Sequence, residues 1–249
     1  MVPTTYQPPS AEALAAARQA LAAADPAIAR LHAVTPAFPW RLRPGGFYGL
    51  TKLVIYQQVS LASAQAIWTR LEAGLGEVSP EAVLALQEQE LLAFGLSRPK
   101  ARYVHALARS GFDFTGLGAL DDQAATAALT GLLGIGRWTA EAYLMFCDGR
   151  LDVFPAGDVA LQEAMRWADQ ATESPSEKPA YLRAAAWKRA VWRVRPMVAL
   201  AMIAAEKERA MRFGSPTARH MSGRREAKSA PRVESTIDSP AAAVQQTSR

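Results

Sequence analysis

Cysteine is almost absent from this sequence, with Cys147 the single example among 249 residues. One thiol excludes an intramolecular disulfide, and it excludes a zinc or iron–sulfur site built from several thiolates. That usage fits a reducing compartment, so a cytoplasmic location is expected, at the nucleoid if the source is bacterial. Long apolar runs are missing too: the longest, such as 197–205, fall far short of the roughly 20 residues that a membrane span requires. The first 25 residues hold no basic segment followed by an apolar stretch, so neither a secretory leader nor a membrane partner is expected. Positive charge is scarce where it would be most informative. The formal charge is +5, yet from residue 211 onward seven basic residues stand against three acidic ones. The rest is close to neutral, and bulk charge identifies no polyanionic partner.

What remains is a helix-forming globular chain. Half of its residues are hydrophobic and a fifth are charged, enough to bury a sizeable core in one large domain or two small lobes. Apolar residues recur at helical spacing and no strand signal matches them, so the expected fold class is all-α, with two helical lobes flanking a cleft. An alanine-rich helix over 11–24 is punctuated by Asp25-Pro26, and 1–26 reads as an N-terminal helical extension of a main domain over 27–211. Further helices are expected on either side of a polar elbow at 57–60 and after the start signal Ser79-Pro80-Glu81, where one helix runs through 84–92 until Gly95 ends it. Others cover 100–109, 122–132, 137–146 and 158–169, and a last helical region over 180–211 carries Pro196, which should kink or divide it. Residues 212–249, rich in Ser, Pro, Ala and Arg, are expected to form a disordered basic tail.

The decisive segment runs Leu129-Thr-Gly-Leu-Leu-Gly-Ile-Gly-Arg-Trp-Thr-Ala-Glu-Ala-Tyr143. Leu133 closes one helix, Gly134-Ile135-Gly136 turns the chain, and Thr139 begins another helix. The glycines permit backbone angles that a side chain would forbid, and Ile135 can plug the space between the helices. Such a turn leaves amides at a helix start pointing outward, able to take a phosphate oxygen with help from the helix dipole. Arg137 stands beside that anion site. The glycines alone are equally compatible with a ligand-free helix–helix turn.

Twenty residues on, Val153-Phe154-Pro155-Ala156-Gly157-Asp158-Val159-Ala160-Leu161 places an aspartate between a Pro/Gly turn and a helix. Asp158 reads as an N-cap for the Ala160 or Leu161 amide, and capping and catalysis can coexist in one carboxylate. An ionised carboxylate held near a centre that gains positive charge can stabilise it and orient water.

Hairpin, Pro/Gly-rich turn and aspartate in this order resemble the helix-hairpin-helix, Gly/Pro-rich, Asp superfamily of DNA glycosylases. With Gln57-Gln58-Val59-Ser60, Phe94-Gly95-Leu96-Ser97-Arg98-Pro99-Lys100-Ala101 and Gly134-Ile135-Gly136-Arg137-Trp138-Thr139-Ala140, the chain looks like the DNA-3-methyladenine glycosylases over about 27–205. The resemblance implies a monofunctional enzyme that flips alkylated purines out of double-stranded DNA and hydrolyses them, with Asp158 catalytic. Relatives that also nick the strand carry a lysine where this chain has Trp138, because a Schiff base needs an amine. It further implies DNA contacts at Leu133, Gly134, Ile135, Gly136, Arg137 and Thr139, a monomeric protein, and no required cofactor beyond a monovalent cation on the Leu133 and Ile135 carbonyls. Trp138 serves either a pocket for a cationic base or the packing of its own helix. Tyr143, Tyr56 and Trp192 are further pocket candidates. Arg98 falls where a side chain enters the gap left by the flipped base; it could equally contact phosphate or cover the surface. Gln57 and Gln58 either shape the cleft or satisfy elbow backbone groups. Removal of a different lesion, and a non-catalytic DNA-binding module, are the competing readings.

Overall fold

In the computed structural model, residues 10–34, 42–150 and 152–190 are described. Trp192, Pro196 and the tail over 212–249 lie outside them. The described residues contain α-helices and short 3₁₀ turns and no strand, as an all-α fold requires. The helices are α1 (Ala11–Ala24), α2 (Pro26–Val34), α3 (Gly46–Tyr56), α4 (Leu61–Leu75), α5 (Pro80–Leu84), α6 (Arg98–Arg109), α7 (Asp122–Thr130), α8 (Arg137–Phe146), α9 (Val159–Ala168) and α10 (Glu177–Ala190).

Two hydrophobic cores organise them. The larger gathers Leu50 and Val54 of α3, Trp68 and Leu71 of α4, Val104 of α6, Leu129 of α7 and Leu144 of α8. The smaller gathers Leu14 and Leu21 of α1, Ile28 and Leu31 of α2, and Leu161 and Met165 of α9, with Phe154 from the intervening turn. The segment set apart in sequence as an extension therefore packs into the second core. Helix α8 belongs to both: Leu144 faces the first and Met145 the second, and every residue from Thr139 to Met145 is buried. A helix buried on all sides, its polar exceptions Thr139 and Glu141, suits a position between two cores, and it fixes the start of α8 relative to the start of α9.

Local chemistry sets the boundaries. The side chains of Ser10, Ser60, Ser79, Asp121 and Asp158 accept amides at the starts of α1, α4, α5, α7 and α9. The helix expected over 84–92 instead stops at Leu84 and resumes as a 3₁₀ turn, Glu90–Phe94. The Glu90 carboxylate accepts the Gln87 amide at 2.6 Å, taking a donor that a continuous helix would have used. Arg150 donates to the Leu117 and Leu120 carbonyls and to Asp122 and Asp148, pinning the chain before α7 to the loop after α8.

Candidate active site

A cleft of about 980 Å³ opens where the cores meet, a size that admits an extruded nucleoside. One wall is the elbow between α3 and α4, with Tyr56, Gln57 and Gln58. A second is the start of α6 with Ser97, Pro99 and Lys100, followed by Tyr103. The hairpin supplies Gly134, Gly136, Trp138 and Thr139, and residues 157–160 complete the lining.

The hairpin geometry follows from its two glycines, for different reasons. Gly134 has φ +82, and a Cβ there would fall inside the Tyr103 ring, so the position tolerates no side chain. Gly136 has an ordinary extended backbone, φ −82 and ψ 169, and open space where its Cβ would stand. Its value is access. No side chain caps α8, and the first bond into the helix is from the Ala140 amide to the Gly136 carbonyl at 3.0 Å. The preceding amides have no acceptor within the helix, the arrangement that lets a helix start take an anion.

Asp158 faces the same cleft. Its Oδ1 accepts the Ala160 and Leu161 amides at 2.9 and 3.1 Å, and its Oδ2 accepts the Trp138 indole N–H at 3.0 Å. A carboxylate has about four lone-pair sites, so three donors hold the group rigidly and leave Oδ2 one site for chemistry. Trp138 itself is half-buried on the cleft wall, its ring held beside the carboxylate.

Comparison with protein families matches residues 51–190, more than half the chain, to the HhH-GPD superfamily base excision DNA repair proteins. The chain belongs to the HhH-GPD superfamily. A Bacillus subtilis relative, YfjP, whose name carries DNA-3-methyladenine glycosylase as a provisional assignment, is 29% identical over 140 residues, 51% of this chain and 49% of its own. DNA-3-methyladenine glycosylase 1 of Schizosaccharomyces pombe is 29% identical over 136 residues, 51% of this chain and 60% of its own. The chain thus spans about half to three-fifths of the length of these curated relatives. Among solved structures, a DNA-3-methyladenine glycosidase from Bacillus halodurans superposes with a TM-score of 0.68 at 27% identity, covering 80% of this chain and 93% of that one.

Within the HhH-GPD frame, several side chains stand elsewhere than the sequence suggested. Tyr143, expected in a base pocket, is core: it is 2% exposed, its ring packs near Phe114, and its hydroxyl accepts the Gly46 amide at 2.7 Å. Tyr143→Phe is expected to lower stability by about 1–3 kcal/mol, since that buried amide loses its acceptor, without altering the cleft. Urea unfolding checks this, and unchanged stability would refute the structural role. The Thr139 side chain is also buried and accepts the Gln57 amide group at 2.8 Å, so it braces the elbow and offers DNA nothing but its backbone. Arg137 is exposed at the first position of α8, and its guanidinium pairs with Glu141 at 2.9 Å and with Glu177 at 3.8 Å. Burial raises the Glu141 pKa, and Arg137 opposes that rise.

Ile135 is buried as a plug and Leu133 is exposed at the tip. Arg98 is exposed and is not part of the cleft lining, whereas its neighbours Ser97 and Pro99 are. Tyr56 and Gln58 do line the cleft. The Leu133 and Ile135 carbonyls accept no backbone N–H among the described residues, and an all-oxygen donor set suits a hard cation, so they fit such an ion. Ser97, Pro99, Lys100, Tyr103, Gly157, Val159 and Ala160 also line the cleft and were not among the site residues expected from sequence. No local signal marks Lys100, whose partners lie 45 and 43 positions away.

Proposed function

We propose that this chain is a monofunctional DNA glycosylase that extrudes alkylated purines such as 3-methyladenine from double-stranded DNA and hydrolyses the glycosidic bond, acting as a monomer. The observation that carries this reading is the carboxylate of Asp158, gripped by Trp138 and two amides, in the cleft onto which the uncapped start of α8 opens. Backbone amides of the hairpin take a phosphate and position the strand without reading its sequence. A monovalent cation on the Leu133 and Ile135 carbonyls would add positive charge there.

The bond from the base nitrogen to the anomeric carbon breaks with its electron pair leaving on the base. A purine alkylated on a ring nitrogen carries a positive charge, so it departs neutral. Asp158 stabilises the oxocarbenium character left on the sugar, and water adds to that carbon and gives up a proton. The products are a free base and an abasic site. Trp138 occupies the position at which an amine would be needed to cut the strand, so the strand stays intact. The indole has two roles: its N–H orients Asp158, and its face attracts a cationic base.

Mass analysis of bases released from methylated duplex DNA tests the reading. Release of 3-methyladenine is expected; release from deaminated duplexes alone would make another lesion the substrate, and binding without any release would make the chain a DNA-binding module. Trp138→Phe separates the roles of the indole, because it keeps a ring and removes the N–H. Single-turnover release should fall roughly tenfold, the loss of one hydrogen bond to a charged group, with duplex affinity unchanged. A wild-type rate would show that the N–H does not orient Asp158.

A further inference from the structure

Lys100 is 9% exposed, an unusual place for an ammonium, which is costly to bury unless it is matched. Among the described residues it forms no ion pair. Its partners are backbone carbonyls: Nζ donates to Ile55 O and to Gln57 O, each at 2.7 Å. Those two carbonyls end α3, where the helix dipole is negative and a cation is favoured. Burial lowers the lysine's pKa, and the two carbonyls favour the charged form by accepting its N–H hydrogen bonds.

The elbow that Lys100 holds is not relaxed backbone. Gln57 has left the helix, with φ −62 and ψ 135, and Gln58 has φ +55, the left-handed region that favours glycine. Gln58 is exposed on the cleft rim. Gln57 reaches the other way, donating through Nε2 to Thr139 Oγ1 at 2.8 Å. Thr139 adjoins Trp138, which holds Asp158. A line of hydrogen bonds and chain neighbours therefore runs from α6 through the elbow to the carboxylate, with Lys100 at its origin. The lysine also lines the cleft, and the two elbow bonds use two of its three N–H donors.

The geometry points to Lys100 as a positioning residue that clamps residues 55–58 onto the cleft rim, so that the elbow meets the distorted DNA strand in a fixed shape. The DNA half of this statement rests on the proposed glycosylase reading; the clamp itself does not. Two measurements on the full chain separate them. Amide hydrogen exchange is compared in wild type, K100M and K100R, and affinity is compared for a duplex holding a tetrahydrofuran abasic analogue and for an intact duplex. In K100M, exchange of the amides that end α3, through Gln57, whose amide donates to the Val54 carbonyl, should quicken roughly tenfold or more, the loss of charge-assisted hydrogen bonds, while α4 and α9 keep wild-type protection. Its preference for the abasic duplex should fall by a similar factor, and K100R, which still donates to both carbonyls, should recover most of both. If K100M does not fold, K100Q, with a neutral donor, takes its place in the same comparison. Wild-type exchange at the elbow would overturn the clamp. Faster exchange with an unchanged abasic preference would overturn the link to DNA. Absence of any abasic preference in wild type would count against the glycosylase reading, and the exchange comparison would still decide the clamp.

Discussion

Asp158→Asn is expected to reduce base release by about a thousandfold or more, the scale lost when a preorganised charge facing a transition state is removed. Folding should survive, because Asn and Asp are nearly equivalent N-caps and the Asn oxygen can accept the Ala160 and Leu161 amides as Oδ1 does now. The other half of the side chain changes sign. Where Oδ2 accepts the Trp138 indole N–H, an amide NH₂ would oppose one donor with another, so both the charge and its brace are lost. Binding should not suffer in parallel, since removing a negative charge from the cleft proposed to take a phosphate backbone relieves repulsion. Single-turnover release from methylated duplex, measured beside duplex affinity, checks both halves. Release at the wild-type rate would remove Asp158 from the reaction.

That Asp158 could be picked from sequence, and Lys100 could not, has a physical basis. Caps, turns and glycine hairpins are local: a residue and its partner lie within three or four positions, as with Asp121 and Ala124 or Asp158 and Leu161. The sequence therefore carries both halves of each device, and α7, α8 and α9 start where they were expected. The indole–carboxylate bond links residues 20 apart, and the Lys100 bonds span 45 and 43 positions. Nothing near any of these residues announces its partner. Tyr143 shows the converse. It lies on the right helix beside the right motif, yet which face of α8 it occupies is decided by the packing of α3, whose first amide it holds. The Arg137–Glu141 pair, four residues apart on one face, is local in the same sense.

The hairpin offers the sharper test of how backbone geometry and ligand access divide between two neighbouring glycines. Gly134→Ala should cost about 2–4 kcal/mol of stability: about 1 for a side chain at positive φ, and about 1–3 for a methyl forced into a packed ring. The positive φ at Gly134 and the Tyr103 ring beneath it supply those two terms. Adding Tyr103→Ala should restore the second part and leave the first, so the two substitutions are coupled by about 1–3 kcal/mol. Gly136→Ala should cost less than about 1 kcal/mol, because its backbone angles suit any residue and alanine is merely a poorer cap. No atom stands within 4 Å of the added methyl to resist it. In the proposed binding mode a phosphate oxygen would approach the start of α8 through that same open space, so duplex affinity should drop roughly tenfold, the worth of a charge-assisted hydrogen bond. Urea unfolding and duplex titration on the two variants should therefore give opposite rankings, Gly134→Ala worse in stability relative to its binding loss and Gly136→Ala worse in binding relative to its stability loss. If Gly136→Ala binds DNA as wild type does, the phosphate does not sit on these amides and the hairpin is a structural turn; if Gly134→Ala is as stable as wild type, the Tyr103 ring yields more readily than its packing implies.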